Sequence, residues 1–322
     1  MASHRAHDAH HVRSPRRPAR AARRGRYRAI RAGGSLIEIV AAPPYLTVQD
    51  RGRFGYRAAG VPVSGAMDVV AMESANRAVG NDPGAATLEW ALGGGVIRFA
   101  DRARFALCGA AADATLDDRG IGVGDAHDAN AGAVLTIGRF TAGRFLYLAI
   151  RGGIDVPIVL GSRSTYVPAR LGGHGGRLIR TGDRLAIGEP THAPSDATGV
   201  RRPAHDAPLD VIRGPDASWF TGTGWITFVS ERFRVSTASD RTGYRLEGPV
   251  IEGAGTFAGP SAPVCPGVVQ VPPSGQPVVL MADAPTIGGY PVLAVVSSTD
   301  LPRLAQCRPG DVVRFRDVPV NS

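Results

Sequence analysis

Glycine and proline interrupt this sequence so often that long helices have little room to form. The chain contains 42 glycines and 25 prolines among its 322 residues. Both residues disfavour helix interiors and are common in turns. The runs between them show the alternating or continuous apolar pattern of short strands. The sequence therefore predicts a mainly β protein with few short helices, in which many strands are joined by tight turns.

The strand-like runs form two blocks. The first lies within residues 34–190, a segment rich in proline, alanine and small polar residues spans 191–208, and the second block spans 209–322. Each block ends on a turn containing Gly-Asp that leads into an alternating strand, RTGDRLAI at 180–187 and RPGDVVRF at 308–315. These similar endings predict two β-barrel domains in tandem, joined by a linker.

A few segments favour a helix. The longest is SGAMDVVAMESANRAVGN, residues 64–81, where small apolar residues recur three and four positions apart. Ser64 is expected to cap its first turn. A short helix is expected at TDLPRLAQ, residues 299–306, whereas WITFVS, residues 225–230, has the composition of a strand.

The net charge of +9 comes from the amino-terminal residues. Residues 1–33 contain ten arginines and one aspartate (10 − 1 = +9), and the rest of the chain balances at 37 − 10 = 27 basic and 28 − 1 = 27 acidic residues. We interpret residues 1–33 as a disordered Arg-rich leader, with a nucleic-acid-binding tail and a transit-like leader as alternatives. The balanced remainder gives no electrostatic basis for binding nucleic acid.

The chain contains no lysine, so all 37 basic residues counted are arginine. This excludes a P-loop, which needs a lysine on the phosphates, and Schiff-base chemistry. It also excludes the attachment of biotin to a lysine of this chain. A phosphate group must therefore be held by arginine, by backbone N–H groups or by a metal.

The cysteines are few and have no metal-binding spacing. Cys108, Cys265 and Cys307 include no CxxC pair, which argues for a reducing compartment and against a disulfide scaffold or a zinc site. No apolar run approaches the ~20 residues that a membrane span needs. We therefore predict a cytoplasmic protein with no membrane contact and no metal site.

The first candidate site follows a predicted strand. In the sequence TVQDRGRF, Gln49, Asp50 and Arg53 come directly after an apolar run. A carboxylate and a guanidinium three residues apart can face an anionic ligand, with neighbouring glycines letting backbone N–H groups approach. The alternative is a structural turn in which Asp50 caps its own loop and Arg53 pairs with it.

A second group of polar residues lies on or near the predicted long helix. Asp68 and Asn76 are eight residues apart, about two turns, and so share a similar face. Together with Glu89 they could line a cleft. The alternative is that Asp68 serves only the start of the helix and Asn76 only the loop that follows it.

Arginines supply the remaining cationic candidates. Arg163 and Thr165 in GSRST could form an anion-binding loop or a hydrogen-bonded turn. Arg241 and Arg245 in the second block could clamp a phosphate or carboxylate, although Arg245 also fits the solvent-exposed face of a strand.

Amide side chains of the second block could recognise an amide-like substrate. Gln270 and Gln276 can both donate and accept hydrogen bonds, Asp283 ends the next strand, and Tyr290 lies in the loop GGYP beyond it. Buried hydrogen bonding of the glutamines to the backbone is the alternative.

Six stretches together resemble one protein family. They are TVQDRGRFGYRAAGVPVSGAMD, SANRAVGN, RGGIDVPIVLGSRST, SDRTGYRLEGP, GVVQVPPSGQPVVLMAD and IGGYPVLAVVSSTDLPRLAQCRPGDVVRF. The family includes the C-type subunit of the bacterial ATP-dependent 5-oxoprolinase, the antagonist of the sporulation kinase inhibitor, and the allophanate hydrolase subunit 2-like segment of the carboxyltransferase part of urea carboxylase. The resemblance covers Ser35 to Asp317.

This resemblance implies a fold, partners and an activity. It implies two cyclophilin-like β-barrel domains, and a catalytic cleft shared with a B-like subunit of similar cyclophilin-type barrel and completed by an A-like subunit. The implied reaction is the ATP-dependent hydrolysis of 5-oxoproline to L-glutamate, active in the complex, with ATP bound by this chain or elsewhere in the complex. We expect a catalytic carboxylate among Asp50, Asp68 and Asp283, with the other candidates binding substrate.

The resemblance leaves two alternatives open. One is a carboxyltransferase component that acts on biotin carried by another protein, as in urea carboxylase. The other is a non-catalytic regulator that binds a kinase-inhibitor-type partner. Pro285-Thr286-Ile287 stands where the family more often has Gln-Thr-Thr, and Ser261-Ala262-Pro263 where Ser-Glu-Pro is common, so the substrate is also left open.

Overall fold

The structure is a computed structural model that describes residues 35–190, 207–253 and 259–319. The predicted leader, residues 1–33, and all but the last two residues of the predicted linker, 191–208, lie outside the described residues. The domain boundaries therefore remain predictions.

The described residues form 20 strands, of which ten belong to the first sheet. These are β1 (Leu36–Ala41), β2 (Tyr45–Gln49), β3 (Thr87–Ala91), β4 (Val96–Phe99), β5 (Ala103–Leu116), β6 (Arg119–Gly120), β7 (Ala126–Ala129), β8 (Val134–Ile150), β9 (Ile154–Asp155) and β10 (Arg184–Ile187).

The other ten strands form an eight-stranded sheet and a two-stranded sheet in which β14 pairs with β17. They are β11 (Leu209–Arg213), β12 (Phe233–Val235), β13 (Gly243–Glu247), β14 (Ala262–Pro263), β15 (Val268–Gln270), β16 (Val278–Leu280), β17 (Ile287–Gly288), β18 (Val292–Val296), β19 (Val312–Val313) and β20 (Phe315–Asp317). The helices are α1 (Val69–Ala78), α2 (Gly222–Ser230) and α3 (Leu301–Ala305), with 3-10 turns at Arg57–Ala59, Val167–Ala169 and Ala217–Trp219.

Two long bent strands organise the first sheet, whose order is β2-β3-β8-β4-β1-β10-β9. Strand β8 pairs with β5 along its length, while its first half pairs with β4 and its second half with β3. The ladder between β5 and β8 shifts register after Gly109, where a β-carbon would lie 2.4 Å from the Phe145 carbonyl oxygen. The sequence predicts two strands in place of each, RFALCG and DATLDD for β5 and AVLTIG and RFLYLAI for β8. Glycines and bulges between these runs bend the strands without ending them.

The second sheet nearly closes on itself. Its order is β19-β12-β13-β16-β15-β18-β11-β20, and the two end strands are separated in the chain by Arg314 alone. Strand β20 runs parallel to β11, whereas β19 runs antiparallel to β12. The predicted mainly β fold with two tandem barrels and few short helices is confirmed.

The two barrels share part of their apolar core. One buried cluster lies wholly within the first block. The largest cluster joins side chains of both blocks, including Met72 and Tyr147 from the first and Phe228, Tyr244 and Leu304 from the second. Burial of this shared apolar surface stabilises the contact between the barrels.

Two local predictions are wrong. Helix α1 begins at Val69, and its cap is Asp68, whose Oδ1 accepts a hydrogen bond of 2.9 Å from the backbone N–H of Ala71. Ser64 instead has a left-handed backbone, with φ 58°. The segment expected as a strand at 225–230 belongs to helix α2, because Thr221 caps its first turn and the helix buries one apolar face in the core.

Within the described residues, no helix is long and apolar enough to cross a membrane.

Candidate functional site

The loop between β2 and α1 folds back on itself and brings its polar residues beneath the surface. The Arg53 N–H donates to the Val63 carbonyl at 2.8 Å, and the Ala66 N–H donates to the Asp50 carbonyl at 2.9 Å. Gly65 permits this closure, because a β-carbon there would lie 2.8 Å from the Arg51 carbonyl oxygen.

The Asp50 carboxylate anchors a second loop, residues 162–164, to this one. It accepts hydrogen bonds from Ser162 Oγ at 2.7 Å, the Arg163 N–H at 2.6 Å and the Gly52 N–H at 2.8 Å, and a further one from Ser164 Oγ. Its oxygens are therefore engaged in holding the two loops together.

Arg53 lies beneath these loops with no exposed surface. Its Nη2 donates to the Ser164 carbonyl, while Nε and Nη1 have no hydrogen-bond partner among the described residues. Burial lowers the pKa of Arg53, against the opposing effect of Asp50 and Asp283. The side chain is thus a buried cation with unused donors.

Gln49 and Thr165 bring the same loops together from the side of β2. Gln49 Nε2 donates to Thr47 Oγ1 at 3.0 Å and to the Thr165 carbonyl at 3.1 Å, whereas its Oε1 has no partner among the described residues. Thr165 donates to the Val48 carbonyl through both its N–H and its hydroxyl, each at 2.9 Å.

Arg241 joins the second barrel to the first. Its guanidinium donates to Glu89 Oε1 at 2.6 Å, to both oxygens of Asp283 at 2.9 and 3.0 Å, and to the Gly65 carbonyl at 2.6 Å. All three charged side chains are buried. Arg241 therefore bridges a strand of the first barrel and a loop of the second, and each of its three guanidinium nitrogens is hydrogen-bonded.

Glu89 connects this arginine to the start of helix α1. Its Oε2 accepts from the Met67 N–H at 2.9 Å and from the Tyr147 hydroxyl at 2.7 Å, and that hydroxyl accepts from the Asp68 N–H at 2.8 Å. Burial raises the pKa of Glu89, whereas Arg241 and these two donors favour its charged form.

Asp68 forms a second link between the barrels. Its Oδ2 accepts a 2.7 Å hydrogen bond from Nε2 of Gln306, which follows α3 in the second barrel. Gln306 Oε1 in turn accepts from the N–H groups of Arg144 and Phe145 at 2.8 and 3.1 Å. Asp68 thus caps α1 and also fixes the position of α3.

Ser64 occupies the point where the loops of both barrels meet. Its Oγ lies 2.6 Å from Asp283 Oδ1 and 3.1 Å from the Thr165 carbonyl. It combines this position with a left-handed φ of 58°, which is costly for a residue with a side chain. Strained residues of this kind cluster at functional sites.

The structure brings eight of the predicted site residues together across the barrels, in two hydrogen-bonded groups that the chain joins at the peptide bonds Gln49–Asp50 and Ser164–Thr165. They are Gln49, Asp50, Arg53, Asp68, Glu89, Thr165, Arg241 and Asp283. The connections pass through Ser64, Ser164 and Tyr147. We call these eight residues and Ser64 the cross-barrel network.

The side chains of the two remaining first-barrel candidates lie outside this network, although the Arg163 N–H donates to Asp50 within it. Asn76 is buried and donates to the carbonyls of Pro83 and Ala85 at 3.2 and 2.8 Å, so it shapes the loop after α1. Arg163 donates to the Val156 carbonyl and pairs with Asp155 at 3.0 Å. It borders a surface cleft of about 380 Å³.

Four candidates of the second barrel also lie apart from the network. Arg245 is on the exposed face of β13. Gln270 is buried and donates to the carbonyl of the exposed Tyr290 at 2.9 Å. Both ends of the Gln276 amide pair with the backbone of Gly248, at 2.8 and 3.0 Å. The glutamines therefore support loops in this structure.

The sequence did not indicate three residues that complete these contacts: Ser64 as a site residue, Tyr147 and Gln306. A serine followed by glycine at 64–65, shortly before the helix cap Asp68, is a usable signal for an unusual backbone. No sequence pattern indicates the partners of Tyr147 and Gln306, since those partners lie far along the chain. The described residues contain no group of three or more His, Cys, Asp or Glu side chains that could hold a metal.

The sequence matches a known domain family over most of its length. The family described as carboxyltransferase domain, subdomain A and B, matches residues 59–317. The C-type subunit of the 5-oxoprolinase of Escherichia coli is 40% identical over 280 residues, which cover 87% of this chain and 90% of that protein.

Larger multidomain proteins contain a similar region. The urea amidolyase of Lachancea kluyveri is 36% identical over 311 residues, covering 88% of this chain and 17% of that protein. The crystal structure of the K. lactis urea amidolyase matches 89% of this chain with a TM-score of 0.83 and 31% identity. This chain spans 19% of that structure, so the likeness concerns one part of a large enzyme.

Proposed function

The chain belongs to the family of carboxyltransferase domains of subdomain A and B, and from this membership we propose that it is the C-like subunit of an ATP-dependent 5-oxoprolinase. One observation carries the proposal. The similarity to the C-type 5-oxoprolinase subunit extends over nearly the full length of both proteins, whereas the urea amidolyases share only a fraction of theirs.

In the proposed reaction, 5-oxoproline, ATP and two waters give L-glutamate, ADP and phosphate. A lactam is a poor electrophile, so we propose that its oxygen attacks the γ-phosphorus of ATP and ADP leaves. A first water adds to the ring carbon, the C–N bond breaks with protonation of the nitrogen, and an acyl phosphate remains. A second water then displaces phosphate and leaves the carboxylate of glutamate.

We assign different roles to the three candidate carboxylates. Asp283 contacts the hydroxyl of Ser64 where loops of both barrels meet, and we propose that this pair orients the attacking water. Asp50 and Asp68 accept hydrogen bonds from a loop and from a helix start, so they position the site. Arg241 holds Asp283 in place through two hydrogen bonds.

The rest of the active site is proposed to come from partner proteins. The name of the Escherichia coli relative designates it as one of several lettered subunits, which supports a complex of this chain with A-like and B-like proteins. We propose that the complex as a whole binds ATP and is active only when assembled.

The similarity to the urea amidolyases favours a second candidate function. In this alternative the chain is a carboxyltransferase component that acts on carboxybiotin carried by another protein, since it has no lysine to carry biotin itself.

One experiment separates the two functions. The chain is purified with its A-like and B-like partners and assayed for glutamate formation from 5-oxoproline with and without ATP. A parallel assay supplies urea, bicarbonate, ATP and a biotinylated carrier with its carboxylase. Both assays are run with and without avidin. ATP-dependent glutamate formation that avidin does not affect supports the first function, and avidin-sensitive urea carboxylation supports the second.

A further inference from the structure

Arg53 is a fully buried guanidinium without an anionic partner. It has no exposed surface, and none of the ion pairs among the described residues includes it. Only Nη2 makes a hydrogen bond, to a backbone carbonyl, while Nε and Nη1 are unpartnered among the described residues. Buried charges are normally paired because an isolated one is costly. An unpaired buried cation therefore indicates a counter-ion that is supplied from outside the chain.

The nearest acidic side chains do not supply that counter-ion. Asp50 and Asp283 are near enough to oppose the effect of burial on the pKa of Arg53. Asp50 uses its oxygens on two serine hydroxyls and two backbone N–H groups, and Asp283 uses its own on Arg241 and Ser64.

A glycine turn, residues 172–176, covers the guanidinium. A β-carbon at Gly172 would lie 2.5 Å from Arg53 Nη2, so backbone without a side chain lies directly against the cation. The Gly176 N–H closes the turn by donating to the Gly172 carbonyl at 2.7 Å. Gly176 also lines a surface cleft of about 520 Å³, together with Arg170, Arg177 and Arg180.

This cleft lies at the other end of the turn from Arg53 and carries positive charge. Arg170 and Arg180 are exposed, and neither has an ion pair among the described residues. Such a surface raises the local concentration of anions. The buried guanidinium and a cleft that attracts anions therefore lie against the two ends of one glycine turn.

The side chain of Gln49, four residues before Arg53, has an oxygen atom without a hydrogen-bond partner among the described residues. Arg53 contacts the Ser164 carbonyl, and Gln49, whose Oε1 is also unpartnered among the described residues, contacts the Thr165 carbonyl. The two side chains, which contact adjacent carbonyls of one backbone segment, thus offer free donors and a free acceptor. These are complementary to a small acid that also carries an N–H group.

We propose that Arg53 binds the carboxylate of a small acidic ligand that enters beneath the glycine turn. The choice of 5-oxoproline as this ligand rests on the proposed function. This acidic lactam carries both a carboxylate and an N–H group. The proposal makes Arg53 the residue that distinguishes an acid from a neutral amide.

The test measures thermal unfolding of the full chain with two pairs of probes at constant ionic strength. Acetate is compared with acetamide, and 5-oxoproline with 2-pyrrolidinone, which is the same lactam without the carboxylate. A ligand that binds only the folded state raises the unfolding temperature in a saturable way. We expect acetate and 5-oxoproline to raise it and the two neutral compounds to leave it unchanged.

Variants identify the residue responsible. Arg53→Met should unfold without ligand at the same or a higher temperature than the wild type, because it loses an unpaired buried charge, and it should lose the response to carboxylates. A purely structural arginine would instead give a lower unfolding temperature. Arg53→Lys keeps a positive charge and should keep part of the response. Arg119→Met, at an exposed arginine of β6, is the matched control and should respond like the wild type.

The outcomes are separable from those for the proposed function. The inference is overturned if the wild type shows no carboxylate-specific increase, or if Arg53→Met keeps it. A complex that forms glutamate without such a response retains the function and loses the inference. A chain that responds to acetate through Arg53 but supports no glutamate formation retains the inference about Arg53 and loses the proposed function. A response to acetate without one to 5-oxoproline places another small acid in the site.

Discussion

Arg241 of the second barrel lies 2.6 Å from Glu89 of the first barrel, and both side chains are buried. The same guanidinium pairs with Asp283 at 2.9 Å, so one cation bridges two carboxylates that belong to different barrels. Since the barrels also share an apolar core, this network fixes the site loops of one barrel relative to those of the other.

Replacing Arg241 should therefore destabilise the whole fold. Arg241→Met leaves Glu89 and Asp283 buried without their cation, and breaking a buried ion pair in this way costs about 3–5 kcal/mol. Unfolding in urea, followed at neutral pH, measures this loss. Arg245→Met, on the exposed face of the adjacent strand, should change the free energy of unfolding by no more than about 0.5 kcal/mol. Equal effects of the two substitutions would show that the network does not hold the barrels together.

Two substitutions at Ser64 separate its backbone from its hydroxyl. Both Ser64→Gly and Ser64→Ala remove the contact with Asp283, but only glycine adopts a φ of 58° without strain. Ser64→Ala should be less stable than Ser64→Gly by about 1 kcal/mol. Both should reduce glutamate formation by about tenfold or more, since a hydrogen bond to a charged group contributes about 1.5–3 kcal/mol. Wild-type activity in either variant would remove Ser64 from the proposed mechanism.

A pair of glycine substitutions tests the cover over Arg53. A β-carbon at Gly172 would lie 2.1 Å from the Ser164 carbonyl oxygen, whereas Gly182 has a similar positive φ and no atom within 4 Å. Gly182→Ala should cost about 1–2 kcal/mol, from backbone strain alone. Gly172→Ala should cost clearly more, because the methyl group also displaces backbone. Chemical denaturation of the two variants gives the comparison, and equal costs would mean that the turn is not packed against this loop.

Asp183 should contribute to stability in a pH-dependent way. Its burial raises its pKa, but hydrogen bonds from Arg177 and from the Arg180 N–H outweigh this effect and lower the pKa below its ordinary value. The unfolded chain then binds this proton more readily, so the contribution is full above about pH 4 and is lost as the pH falls through the folded-state pKa. Urea unfolding between pH 3 and pH 7 should show Asp183→Asn less stable than the wild type at pH 7, with the difference shrinking in acid. A difference independent of pH would contradict this assignment.

The mainly β fold could be predicted from the sequence, because apolar strand patterns and the glycines and prolines that end strands are local signals. The errors also have local causes. The aromatic and β-branched residues of 225–230 favour a strand, but the cap at Thr221 and tertiary packing give a helix. Strands β5 and β8 continue through glycines that normally end a strand, because those glycines bend it.

The candidate site could be predicted from the sequence only in part. Gln49, Asp50 and Arg53 could be selected because their residue types and spacing fit an anion site. The contact between Glu89 and Arg241 joins residues 152 positions apart, and it depends on how two barrels pack, which no periodicity encodes. For the same reason the sequence did not indicate that the side chains of Arg163 and Arg245 would lie outside the cross-barrel network.

Omission and replacement of this chain in the reconstituted complex test the central claim most directly. Glutamate formation from 5-oxoproline and ATP is measured with the A-like and B-like partners alone, with the wild-type chain added, and with the Ser64→Gly chain added. We expect activity only with the wild-type chain, and a loss of about tenfold or more with the variant. Full activity without this chain, or no activity with all three wild-type proteins, would contradict the account.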